Sequence, residues 1–190
     1  MVRLLKHLLI PDWLARRPFP AAALERIGRA ITASERLHRG EICFAVEGGL
    51  PLQLLSASCR RRAEDLFGSL RVWDTEENSG VLIYVQLVDR DIEIVADRGI
   101  AARVAQAEWE AICRTMEQSF RNGQYLPGSL AAIERVTALL ARHFPARGVN
   151  PDASRPARAA LSYSAPAGSI IARTVETRYD FAAAFSRAKG

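Results

Sequence analysis

The sequence predicts an α/β/α sandwich with a mixed central sheet and an irregular C-terminal tail. Three observations carry this. Periodicities run in the order α-α-β-α-β-β-α-α, residues 81–88 are apolar on both faces, and residues 81–96 have the pattern of a hairpin. Of the 190 residues about half are apolar and a quarter charged, enough for one domain whose core needs neither disulfide nor structural metal.

The elements follow in order. Residues 3–9 predict a short amphipathic helix with Leu4, Leu5, Leu8 and Leu9 on one face and Arg3, Lys6 and His7 elsewhere. One or two turns bury little apolar area, so this helix is expected to be a lid on the domain's own core; a membrane-surface anchor is the alternative. Residues 20–38 read as a helix through Leu24, Ile27, Ile31 and Leu37, stopped by Gly40. Residues 41–47 alternate and read as a strand closed by Gly48 and Gly49. A helix is expected over 57–67.

Residues 81–88, Val-Leu-Ile-Tyr-Val-Gln-Leu-Val, belong in the middle of a sheet covered on both sides. Asp89 and Arg90 form a turn, and residues 92–96 return as the hairpin partner. Ala105, Trp109, Ile112, Cys113, Met116 and Phe120 form an apolar stripe over 103–121, ended by Gly123. The last helix starts near Pro127, a favoured first-turn residue, and stops by Pro145. Beyond it Pro, Ala, Arg and Ser dominate and periodicity vanishes. The expected organisation is an N-terminal extension over 1–19, a domain over 20–145 and a largely disordered tail over 146–190.

Charge is uneven. Residues 1–40 hold eight basic and three acidic side chains, residues 41–145 eleven and fifteen, and residues 146–190 seven and three. The basic surplus lies at the ends without interleaved aromatics, which argues against a nucleic-acid partner. Cys43, Cys59 and Cys113 are too few and too widely spaced for a disulfide framework or zinc finger, and read as buried apolar residues. The opening stretch, broken by Lys6 and His7 and stopped by Pro11, has neither the apolar core nor the cleavage site of a signal peptide. A cytoplasmic location, peripheral to the membrane at most, is the expectation. Phosphate-loop, His-Glu-x-x-His and Gly-x-Ser-x-Gly signatures are absent from the sequence.

Residues 71–85, Arg-Val-Trp-Asp-Thr-Glu-Glu-Asn-Ser-Gly-Val-Leu-Ile-Tyr-Val, resemble the signature of the TPM-domain family. Residues 89–100, Asp-Arg-Asp-Ile-Glu-Ile-Val-Ala-Asp-Arg-Gly-Ile, resemble it too. Trp109, Met116-Glu117, Phe120-Arg121, Gly123-Gln124-Tyr125, Gly128 and His143-Phe144-Pro145 extend the likeness, which covers about residues 20–145. In particular the chain resembles bacterial members that lack a signal peptide and a membrane span. The resemblance implies an α/β/α sandwich. It implies no single chemistry: some relatives are acid phosphatases of the thylakoid lumen, some bind calcium, and many bacterial members are read as membrane-protein quality-control factors.

Two loops are candidates for chemistry, 73–80 before the central strand and 97–101 after its hairpin partner. Antiparallel pairing brings the end of one strand to the start of the other, so Asp97 is expected near Asp74, Glu76, Glu77 and Asn78. Carboxylates with an amide oxygen suit calcium or magnesium, and a metal-bound water among Asp74, Asp97 and Arg98 would suit phosphate-ester hydrolysis. Metal-binding relatives have Asp-Asn-Gly before the central strand where this chain has Asn78-Ser79-Gly80. Glu35, His38 and Glu41 form a second constellation, either zinc or manganese ligands or, with preference, a histidine at a helix C-terminus. The basic trio Arg60, Arg61 and Arg62 after Ser58 reads as a helix start with a solvated face. His7 and His143 have no partners visible in the sequence. The expected function is a binding or membrane-protein quality-control module whose partner is a membrane protein or membrane surface. A metal-dependent phosphatase is the alternative.

Overall fold

A computed structural model describes residues 2–10, 17–50, 52–146, 159–162 and 169–174. The helices are α1 Val2–Leu9, α2 Ala21–Ser34, α3 Cys59–Ser69, the single turn α4 Arg98–Ala101, α5 Gln106–Arg121 and α6 Tyr125–His143. The strands are β1 Ile42–Glu47, β2 Val81–Gln86, β3 Asp91–Ala96, β4 Ala159–Ser162 and β5 Ser169–Thr174. They form one mixed sheet in the order β3-β2-β1-β5-β4. β1 and β2 are parallel, with Ile42 opposite Val81 and Glu47 opposite Gln86. All other pairs are antiparallel.

Period-two alternation divides the sheet between two cores. Ile42, Phe44, Val46, Val81, Ile83 and Val85 face one side and are covered by α2, α5 and α6. Cys43, Ala45, Leu82, Tyr84 and Val95 face the other and are covered by α3 through Cys59, Ala63 and Leu66. Every residue of β1 and β2 is buried, which is why residues 81–86 carry no polar alternation.

Local chemistry sets the helix ends. Ser58 caps α3, its Oγ accepting from Arg61 N at 3.1 Å. Asp97 caps α4 in the same way, accepting from Arg98 N at 2.7 Å. α6 begins at Tyr125, two residues before Pro127, which still lies in the first turn where an N–H is not needed. After α6, Pro145 pairs with His38, and Arg39 N donates to the Phe144 carbonyl. The end of α6 is thereby tied to the segment leading into β1.

Two short segments of the tail join the sheet. Residues 159–162 and 169–174 are strands, with β5 laid antiparallel on β1. Without β5, β1 would present an unpaired edge although its side chains are buried on both faces. The rest of the tail lies outside the described residues.

Candidate functional site

The two predicted loops meet, and they meet backbone to backbone. Asp97 N donates to Gly80 O at 2.8 Å, and Gly99 N to Asn78 O at 2.9 Å. A Cβ on Gly99 would stand 2.2 Å from Glu77 O, and one on Gly80 would stand 1.9 Å from Val72 O, so both positions require glycine. Asn78 has φ 53°, a left-handed conformation that asparagine tolerates better than most residues.

Their polar side chains are largely engaged already. Arg98 Nε donates to Asn78 Oδ1 at 3.1 Å. Asp97 Oδ1 takes the Arg98 N–H. Glu77 is ion-paired with Arg39. Two buried oxygens lack a hydrogen-bond partner among the described residues: Asp97 Oδ2 and the hydroxyl of Ser79, whose N–H goes to Thr75 Oγ1; the carboxylates of Asp74 and Glu76 are exposed and make no hydrogen bond or ion pair among the described residues. Calcium takes about six to eight oxygen ligands. Guanidinium groups already sit on Asn78 and Glu77, and among the described residues the free acids are not grouped to supply that number. Among the described residues no group of three or more His, Cys, Asp or Glu side chains is placed to hold a metal ion. The donor set present does not fit a hard cation.

His38 sits at the same end of the sheet. α2 ends at Ser34 with Glu35 as its C-cap, so His38 lies beyond the helix and the expectation that it meets the helix dipole is corrected. Its Nδ1 donates to the Gly40 carbonyl at 2.9 Å, and its Nε2 has no hydrogen-bond partner among the described residues. Burial holds its pKa below the ordinary histidine value despite that hydrogen bond.

The opposite end of the sheet, around the β2–β3 turn, holds groups that sequence reasoning missed. Arg62 turns inward, correcting the solvated-face expectation. Its Nε donates to Glu47 Oε2 at 2.9 Å and its Nη2 to Glu47 Oε1 at 2.6 Å. Tyr84 OH donates to Glu47 Oε2 at 2.6 Å, and burial beside that carboxylate raises the phenol's pKa. The available signal was parity: Glu47 continues the Cys43–Ala45 side of β1 into the core beneath α3. Gln86 braces the turn, its Nε2 donating to Gly48 O at 3.0 Å and its Oε1 accepting from Val88 N at 2.8 Å.

His7 docks α1 at this end. Its Nδ1 accepts from Leu50 N at 2.9 Å and its Nε2 lies 3.2 Å from Asp89 Oδ1, so the neutral ring carries its proton on Nε2. These partners are 43 and 82 residues away, beyond the reach of pattern reasoning. The lid expectation is corrected as well. The polar residue faces the domain, while Leu5, Leu8 and Leu9 face outward at 57%, 61% and 71% exposure.

The described residues match known proteins as follows. The sequence pattern of the TPM domain matches residues 19–139. The chain belongs to the TPM domain family. The match begins at Phe19, whose ring packs 5.9 Å from those of Phe44, Phe120 and Tyr125, so the TPM domain's first residue is a core residue. The NMR structure of the BA42 protein from the psychrophilic bacterium Bizionia argentinensis is similar to this TPM domain, with 29% identity and a TM-score of 0.59. That likeness covers 68% of this chain and 86% of the BA42 chain. No curated protein matches the chain. Among the described residues no helix is long and apolar enough to cross a membrane.

Proposed function

We propose that this TPM domain is a non-enzymatic binding module that works at an anionic membrane surface, α1 being the contact. The observation behind the proposal is the outward face of Leu5, Leu8 and Leu9 on a helix pinned from behind by His7. Residues at i, i+3 and i+4 form a continuous apolar stripe. Lys6, beside it, and Arg17 are exposed, and residues 1–40 carry a basic surplus. Partial insertion of three leucines is worth roughly 1 kcal/mol each, and each basic residue near anionic lipid adds about 1 kcal/mol. The sum corresponds to weak, reversible, salt-sensitive attachment, which suits a module that holds a membrane protein for quality control.

Co-sedimentation with phosphatidylglycerol-containing vesicles tests the proposal. Binding at low salt, weakened by high salt and abolished by Leu8→Asp with Leu9→Asp, is the expected result. An absence of co-sedimentation at low salt would overturn it.

The second reading is a metal-dependent phosphomonoester hydrolase at the loop end. The exposed carboxylates of Asp74 and Glu76, on the same pair of loops as the unpartnered oxygens of Asp97 and Ser79, are what speaks for it, and it requires these groups to gather on an ion that their present placement does not fit. Turnover of a generic phosphomonoester with calcium, magnesium or manganese that is lost in Asp74→Asn and Asp97→Asn would support this reading; activity indifferent to both substitutions would remove it.

A further inference from the structure

A cavity of about 480 Å³ opens beside the β2–β3 turn, on the sheet face covered by α5 and α6. Its volume lies within the range of small-molecule sites, roughly 300–1,000 Å³. The wall is apolar and aromatic: Val85, Leu87 and Ile92 from the hairpin, Phe120 from α5 and Tyr125 from α6. The rings of Phe120 and Tyr125 stand 5.0 Å apart and tilted at 45°, held from behind by Phe19.

The charged groups on the wall are unequal. Arg121 is paired with Glu117 at 3.3 Å. Asp91 and Glu117 also line the cavity, Asp91 lying at an odd position of β3, the parity on which Val95 faces α3. Arg90 is different: among the described residues its exposed guanidinium has no hydrogen bond and no ion pair. It also occupies a left-handed position, φ 58°, where glycine or asparagine would cost less. α6 adds to the positive field, since its N-terminus opens at Tyr125 with no side-chain cap and no acidic residue in the first turn.

We propose that this cavity binds a small organic monoanion with a flat apolar body, the anionic group meeting Arg90 and the body lying against Phe120 and Tyr125. One free guanidinium matches one carboxylate, whereas a phosphate dianion would call for a second unpaired cation. The site is separate from the leucine face of α1 and from the 73–80 and 97–101 loops, so it stands or falls independently of the membrane reading.

The experiment is an amide NMR titration of the full chain with benzoate, phenyl phosphate and benzylammonium. Benzoate is expected to give saturable shifts at Leu87, Arg90, Phe120 and Tyr125, and benzylammonium none. Arg90→Gln, an exposed change that leaves the core intact, is expected to weaken benzoate by about tenfold. Shifts elsewhere only, equal binding of benzylammonium, or unchanged benzoate affinity in Arg90→Gln would overturn the assignment. Tighter binding of phenyl phosphate than of benzoate would overturn the choice of a monoanion.

Discussion

At one end of the sheet, where β2 starts and β3 ends, the polar groups are partly exposed: Asn78 is held by Arg98 and Glu77 by Arg39, while Asp74 and Glu76 face solvent. At the other end, around the β2–β3 turn, one set is fully buried and bonded, Glu47 with Arg62 and Tyr84, while Arg90 stands open on an aromatic cavity. Acidity in the sequence pointed to the first end. The structure concentrates its costly interactions and its open surface at the second. Carboxylates close together in a loop say little about function until their partners are known. An unpaired arginine on the wall of an aromatic cavity says more.

The largest expected effect tests that asymmetry directly. Glu47→Ala removes three hydrogen bonds and strands a buried guanidinium, and is expected to cost about 3–5 kcal/mol of stability in urea unfolding. Replacing the pair together, Glu47→Leu with Arg62→Met, is expected to recover much of the loss, because no charge is then left uncompensated. The matching change at the loop end, Glu77→Ala, breaks only a partly exposed pair with Arg39 and is expected to cost less than about 1 kcal/mol. Similar losses for Glu47→Ala and Glu77→Ala would erase the distinction between the ends.

A smaller effect comes from buried His38. His38 is held neutral by burial, so its folded pKa lies below the unfolded value of 6.5. Between those two values the unfolded chain binds more protons than the folded one. Stability therefore rises with pH through that window and falls as pH drops below about 6.5. Thermal midpoints at pH 7.5 and 5.5 are expected to differ more for the wild type than for His38→Gln. Equal differences would mean that the proton enters the folded state at no cost.

Much of the fold was legible because it is written in local periodicity. The apolar run of 81–85, the stripe Trp109, Ile112, Met116 and the Gly and Pro stops mark their elements within a few residues. Hairpin geometry likewise carries over, since Asp97 does meet Gly80. What escaped depends on distant partners. Nothing near Arg62 in sequence announces Glu47, nothing near His7 announces Leu50 or Asp89, and β5 is a short Ile-Ile island whose identity as a strand depends on β1's free edge. The outward turn of Leu5, Leu8 and Leu9 escaped for the same reason. Periodicity shows that a helix has an apolar face and a polar face, but which of the two docks depends on the surface it meets, here Leu50 N and Asp89.

The smallest expected effect concerns metal at the loop end. Calcium, magnesium or manganese added to the chelator-treated protein is expected to leave the thermal midpoint unchanged, since a ligand stabilises only in proportion to its binding of the folded state. Arg98 already supplies positive charge to Asn78 Oδ1, and the Arg98 N–H occupies Asp97 Oδ1. Arg98→Ala sharpens the test. It frees Asn78 Oδ1 while keeping the backbone bond to Asp97, so a calcium shift confined to Arg98→Ala would show that the guanidinium stands in for a cation. A shift of several degrees in the wild type would instead show that Asp97 Oδ2 gathers the free carboxylates of Asp74 and Glu76 and water around an ion. The loop end would then be the more functional of the two, contrary to the comparison drawn from its paired charges.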